Sequence, residues 1–261
     1  MDVIHIAAGA IVGLIIGLTG VGGGSLMTPI LVLGFGIAPA IAVGTDLLYA
    51  ALTKCNGIYF HHLNKTIDWK IVLLLASGSV PSSIATIYLL ENIKISGIDY
   101  ERIMMLTLSI MLILTSFIII IKNRLLSFIH QYHADSFIIN LIRRFRSHLT
   151  VCSGLCLGFL VTMSSVGAGA IGSAILFLLY PRKKPIAIVG TDLAHAVPLT
   201  AIAGAGHVHL GSIDLNLLIE LLLGGVPAIY LGSHIGKRLP DHVLRPLIAV
   251  ILLFMGIELA L

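Results

Sequence analysis

Charge is what this sequence has least of. Only 11% of its 261 residues are Asp, Glu, Lys or Arg, against about 25% in a soluble domain of that size. With 57% hydrophobic residues and a mean hydropathy of +1.05, the shortage excludes an ordinary water-soluble domain and indicates a membrane protein. Cysteine is scarce too, and the three present make no disulfide framework. Cys152 and Cys156 stand four apart and share one face of a predicted helix. Neither they nor Cys55 show zinc-ligand spacing. His207-x-His209 lacks an evident third ligand, so no metal and no cofactor are expected. A basic region ahead of the first apolar stretch is missing as well, and that stretch is expected to belong to the mature protein. The net charge of +4 does not point to nucleic acid. The basic residues cluster in short loops between apolar runs, as the positive-inside rule predicts.

What is present is a series of apolar runs. About 20 apolar residues cross a hydrocarbon core of roughly 30 Å. Six runs reach or approach that length: 38–60, 69–90, 103–121, 186–206, 215–235 and 243–261. Four shorter runs form two pairs, 3–18 with 26–37 and 149–165 with 171–180. At 1.5 Å per residue the second member of each pair is too short to span alone. Between the first two lies Thr19-Gly20-Val21-Gly22-Gly23-Gly24-Ser25, and between the second two Val166-Gly167-Ala168-Gly169-Ala170. A polar stretch with Arg143, Arg144 and Arg146 separates the two sets. It includes a weakly amphipathic segment, 128–145, suited to a membrane surface.

The two sets are copies. A shift of 146 residues lays Val43-Gly44-Thr45-Asp46-Leu47 on Val189-Gly190-Thr191-Asp192-Leu193. It also lays His61 on His207, Ile67-Asp68 on Ile213-Asp214, Gly78 on Gly224 and Val80-Pro81 on Val226-Pro227. A shift of 145 aligns the earlier part, Gly9 with Gly154, Gly13 with Gly158 and Gly24 with Gly169. The expected fold is therefore an all-α polytopic membrane protein of two repeats, 1–122 and 148–261, joined by a basic cytoplasmic linker over 123–147. Each repeat holds a glycine-tipped short-helix pair and three transmembrane helices. If each pair enters and returns, thirteen of fifteen basic residues fall on the linker's side, with Lys94 and Arg102 opposite and Lys54 set aside as a residue that snorkels. Five segments per half then make the halves inverted, with both termini outside.

Inverted repeats with interrupted helices point to a transport site near the bilayer midplane. Non-helical backbone cannot face lipid, so the glycine tips must line a protein-enclosed or watery space. The returning helices aim their amino-terminal N–H groups and positive dipole ends there, which favours an anion. The expected substrate contacts are Gly22, Gly23, Gly24, Ser25 and Thr45 in the first half and Gly167, Ala168, Gly169, Ala170 and Thr191 in the second. The plain alternative is that the glycines only make tight turns or close helix contacts. Asp46 and Asp192 lie inside predicted spans, where an acid is expensive. Two roles are open for them, capping the tips or coupling protons. His195, three residues beyond Asp192, is positioned to exchange protons with it. His61 and His207 are expected at the interface, and Glu220 and Glu258 have no repeat partner and no assigned role.

The motifs Gly-Leu-Thr-Gly-Val-Gly-Gly-Gly-Ser at 17–25, Ala-Val-Gly-Thr-Asp at 42–46, Ile-Val-Gly-Thr-Asp at 188–192 and the paired Gly-x-Val-Pro resemble the TauE/SafE, or sulfite exporter, family over essentially the whole chain. The resemblance implies movement of sulfite, organosulfonates or related small anions across a bacterial inner membrane. The second tip departs from the family's glycine-rich pattern, with serine and alanine at Ser164-Ser165-Val166-Gly167-Ala168-Gly169. A small anion and the lipid bilayer are the expected partners, with no nucleic acid, and homo-oligomerisation stays open. An anion channel is the second reading. An intramembrane enzyme is the third, since Ser25 and Ser165 have no histidine at a clear spacing.

Overall fold

The computed structural model describes residues 2–19, 24–131, 137–235 and 241–261. Among these residues every regular element is helical. In chain order they are α1 (Val3–Thr19), α2 (Gly24–Pro29, continuing into a π-helical turn Ile30–Gly34), α3 (Pro39–Leu63), α4 (Trp69–Ile95), α5 (Tyr100–Gln131), α6 (Phe137–Ser164), α7 (Ala170–Leu179), α8 (Pro185–His209), α9 (Leu215–Ile235) and α10 (Asp241–Ala260). Five described helices, α4, α5, α6, α8 and α9, are long and apolar enough to cross a membrane. Two of the six expected long runs fall short of that standard. In α3 the polar Thr45, Asp46, Lys54 and Asn56 dilute a run that has the length, and the described apolar part of α10 covers only Pro246–Ala260. Large side chains such as Leu73, Ile110, Phe117, Tyr230 and Phe254 are exposed. So wide an apolar surface suits lipid and not water.

Local chemistry sets the helix ends. Pro39 and Pro185 open α3 and α8 at positions whose N–H is not needed. Asp68 caps α4 by accepting from the amides of Lys70 (3.1 Å) and Ile71 (3.3 Å). Asp214 caps α9 by accepting from Asn216 (2.9 Å) and Leu217 (3.0 Å). Each cap replaces solvent for amides that a helix leaves unpaired. The turn ahead of each cap passes through the left-handed region at a repeat-equivalent residue, Lys65 (φ 52°) and Gly211 (φ 68°). The stretch 123–147 is mostly helical backbone, because α5 runs on to Gln131 and α6 begins at Phe137.

The main helix pairings run between the two halves. The most extensive contacts are α1 with α9, α4 with α6, α5 with α10 and α3 with α8. A Cβ on Gly9 would collide with the Leu221 carbonyl, and one on Gly154 with the Leu75 carbonyl, its counterpart under the repeat. Gly13 against Gly225 and Gly158 against Ser79 repeat the relation, as do Gly78 against Val151 and Gly224 against Ile6. Backbones approach this closely only where no side chain intervenes. α1 runs parallel to α9 and ends beside Ile229–Gly232; α6 runs parallel to α4 and lies beside Ser83 at Thr162. Neither α1 nor α6 reaches its neighbour's far end before its tip begins.

Candidate functional site

The second tip is described in full. Ser165 (φ 57°), Gly167 (φ 113°) and Gly169 (φ 124°) all take left-handed backbone, which glycine adopts without penalty and serine only at a cost. The chain reverses here between α6 and α7. Ser164 Oγ accepts from the Val166 amide at 3.2 Å. The amides of Ile171 and Gly172 close onto the Gly167 carbonyl (3.2 and 3.1 Å), and that of Ser173 onto Gly169 (3.3 Å). Backbone donation from this tip to a ligand therefore falls to amides ahead of Ile171. Ala168, Gly169 and Ala170 are half-buried, whereas Ser164 to Gly167 are buried. At the first tip, Gly22 and Gly23 lie outside the described residues, Gly24 starts α2, and Ser25 is buried. Ser165 of the second tip lies near enough to act on Asp46, which also meets Thr28 of α2.

Each aspartate meets the short helix of its own half. Asp46, fully buried, accepts from Thr28 of α2 at 2.5 Å. Asp192 lies against α7, where a Cβ on Gly172 would run into its Oδ1. The glycine at 172 makes room for that carboxylate. Gly57 meets Leu193 and Gly204 meets Leu48, so α3 and α8 are antiparallel. The two aspartates thus stand toward opposite ends of the shared interface, roughly 20 Å apart along it at 1.5 Å per residue.

Thr45 and Thr191 work at the loops. Thr45 Oγ1 accepts from the Asp214 amide (3.2 Å) and Thr191 Oγ1 from the Asp68 amide (3.0 Å). Each threonine of one half thereby holds the capping aspartate of the other. Beside them Gly44 lets the Ser212 carbonyl approach, and Gly190 does the same for His61 and the Thr66 carbonyl. His195 shares a 2.8 Å hydrogen bond through Nε2 with Ser79. Its repeat equivalent, Tyr49, is buried with its hydroxyl against Gly225, the equivalent of Ser79. A larger ring faces a glycine in one half, and a smaller one faces a serine in the other.

One reading of the sequence is corrected, at Lys54, and two are extended, at His207 and Glu220. Lys54 does not snorkel: it is 8% exposed, its Nζ lies 3.5 Å from the Ala168 carbonyl of the second tip, and its charge acts on Asp192 and Asp46. Its depth shows in packing, which a hydropathy run does not encode. His207, in the last turn of α8, is buried against α6, with Nε2 3.0 Å from the Thr162 carbonyl. Glu220 has partners at the other end of the chain, accepting from the Asp2 amide (2.7 Å) and pairing with His5 Nδ1 (2.8 Å). These residues line an open cavity of about 430 Å³ with Asp214 and Asn216, near the start of α9 and away from the tips. On the face that holds the 64–68 and 180–184 loops, Lys183 pairs with Asp68 at 2.5 Å. Burial pushes the Asp68 carboxyl up, but Lys183 and the Ile71 and Lys70 amides outweigh it and hold it below the usual carboxylate range. Among the described residues no group of three His, Cys, Asp or Glu could hold a metal ion.

Comparison with known proteins agrees over nearly the whole length. The family model described as "Sulfite exporter TauE/SafE" matches residues 5–259. The chain is 37% identical over 259 residues to "Probable membrane transporter protein YjnA" of Bacillus subtilis, covering 99% of this chain and 100% of that protein. It is 29% identical over 278 residues to "Probable membrane transporter protein MJ0441" of Methanocaldococcus jannaschii, covering 98% and 94%. No solved structure matches.

Proposed function

This chain belongs to the sulfite exporter TauE/SafE family of membrane transporters, and from that premise we propose that it carries small sulfur-containing anions, such as sulfite or organosulfonates, out of the cell by alternating access. The two halves are inverted repeats about an axis in the membrane plane. Reciprocal contacts support this: Gly9 on Leu221 answers Gly154 on Leu75, and Thr45 on Asp214 answers Thr191 on Asp68. In a bacterial inner membrane the 64–68 and 180–184 loops then face the cytoplasm and both termini face out.

The observation that carries the reading is the reversing tip between α6 and α7, which the chain enters where α6 lies beside the middle of α4, together with an aspartate buried against the short helix of each half. Unfilled backbone donors inside a membrane mark a ligand path. The anion is held at the tips by Ser25 and the amides around residues 22–24 and 167–170. Asp46 and Asp192 anchor α2 and α7, and do not touch the anion. An ionised carboxylate next to a bound anion would cost several kcal/mol even at an effective dielectric of about 20. Thr45 and Thr191 clamp the loops about which the halves move. Export needs no obligatory proton, because an inside-negative potential already favours it by about 2.3 kcal/mol per charge per 100 mV.

Flux of labelled sulfite and of an organosulfonate into proteoliposomes holding the purified protein tests this. Saturable uptake, raised by a potential positive on the accumulating side, is the expected result. Flux that rises linearly without saturation argues for a channel, and protein-free rates with every anion refute the proposal.

A further inference from the structure

Lys54 is the one described basic residue inside a helix that is both buried and far from either helix end. It sits nine residues from the end of α3, is 8% exposed, and reaches from the first half to the second tip, 3.5 Å from the Ala168 carbonyl. Its charge acts on both buried aspartates, more on Asp192 than on Asp46. The fold does not call for a cation at this place. The repeat-equivalent residue is Thr200, also buried, whose hydroxyl only bonds back to Ala196 (2.9 Å) within its own helix. Among the described residues its one hydrogen bond is this 3.5 Å contact with a carbonyl, and an ammonium has three protons to give. Charges in such a place mark ion paths.

We propose that Lys54 is the counter-charge of the transported anion: its ammonium leaves the Ala168 carbonyl and bonds an oxyanion arriving at the half-buried second tip. This rests on the transport reading above and names its charged ligand. The flexible four-carbon stem lets the ammonium follow the anion. Because the second half offers threonine instead, the site bears its positive charge on one side only, and the two tips are unequal partners for the substrate. Selection between an anion and a neutral molecule of similar size then lies with this residue.

Lys54→Thr copies the second half and is the least disruptive way to remove the charge; Lys54→Arg keeps it. Both are purified, checked for a monodisperse peak and wild-type melting temperature, and assayed with labelled sulfite and methanesulfonate in proteoliposomes, beside neutral dimethyl sulfone. Lys54→Thr should raise KM for the anions roughly 10-fold or more, as loss of a charged hydrogen bond does, and shrink their preference over the sulfone. Lys54→Arg should stay within a few-fold of wild type. A lysine that merely tethers the tip would lower melting temperature and turnover while leaving anion preference intact, and that result overturns the proposal. So does a folded Lys54→Thr protein with wild-type KM, while leaving transport itself standing. Wild-type vesicles that take up neither anion overturn the transport reading and, with it, the role given to Lys54.

Discussion

Around Asp46 the first half places a threonine (Thr28) that donates to it, a buried phenol (Tyr49) and, eight residues on, a lysine (Lys54). Around Asp192 the second half places Gly172, which stands where the first half has Met27, an imidazole (His195) bonded to Ser79, and, eight residues on, a threonine (Thr200). Tyr49 corresponds to His195 and Lys54 to Thr200, and at both positions the polar atoms differ. Duplication has kept the features that set shape: the glycines between helices, the capping aspartates, and the threonines that hold them. The groups that set charge have diverged. A two-sided frame therefore holds a one-sided site.

The glycine contacts should make the two halves fail alike. Gly224 lies against the Ile6 carbonyl and the Ala10 amide, and Gly78 against the Val151 carbonyl and the Leu155 amide. Leucine at either should cost about 3 kcal/mol or more by overpacking, and the monodisperse fraction on size exclusion should collapse for both. A well-folded protein from one and not the other breaks the equivalence.

At the aspartates each half is tested through its own short helix. Asp46→Ala leaves the Thr28 hydroxyl buried without its acceptor, at about 1–3 kcal/mol, and Asp46→Asn should recover most of it. Gly172→Ala should be destabilising by itself, because of Asp192 Oδ1, and close to neutral in an Asp192→Ala background. Thermal melts in detergent of the single and double variants read the coupling. Additive losses would show that the carboxylate and glycine do not share space.

The ring positions sharpen the same comparison. Gly225→Ser should clash with the Tyr49 hydroxyl, and adding Tyr49→His should restore stability by reproducing the His195–Ser79 pair, with a coupling on the order of 1 kcal/mol. If the double variant melts no higher than Gly225→Ser, the two ring sites are not interchangeable.

The smallest effect is expected at the Asp68–Lys183 pair, which joins the halves on one face. Lys183→Ala should cost no more than about 1 kcal/mol, since the lysine is 43% exposed and solvent screens it. Because the folded Asp68 carboxyl is held below its ordinary value of 3.8, the pair stabilises above that pH. The contribution fades as pH falls through the lower folded value. Melting curves of wild type and Lys183→Ala should converge in acid and separate toward neutral pH; a constant gap would show that the lysine acts through packing.

Helix positions and the duplicated motifs were legible in the sequence because apolar runs and rare residues at fixed spacing are local signals. α9 occupies the run 215–235 that hydropathy marks out. Partner choice was not legible. Nothing in residues 3–18 says that Gly9 faces Leu221, or that Glu220 waits for Asp2 and His5. Thr45 and Thr191 showed their repeat equivalence but not that their hydroxyls are engaged with the opposite half's loops. Lys54 could have been found by reading the register where it disagrees: a lysine standing where its copy has a buried threonine.

The pairing of α1 with α9 also sets a timetable for synthesis. α1 is made first, yet the surface that its glycine stripe packs against ends at Ile235. At about 5–20 residues per second, α1 waits on the order of 10–40 s for that surface to emerge. Through that interval a short helix, with Gly9, Gly13 and Gly17 bare along one side, has to be held by the insertion machinery or by lipid. The same delay applies in smaller measure to α4, which precedes α6, so assembly closes from the middle of the chain outward. A ribosome that stops after the first half leaves behind a polypeptide whose main binding surfaces are all waiting for partners not yet translated.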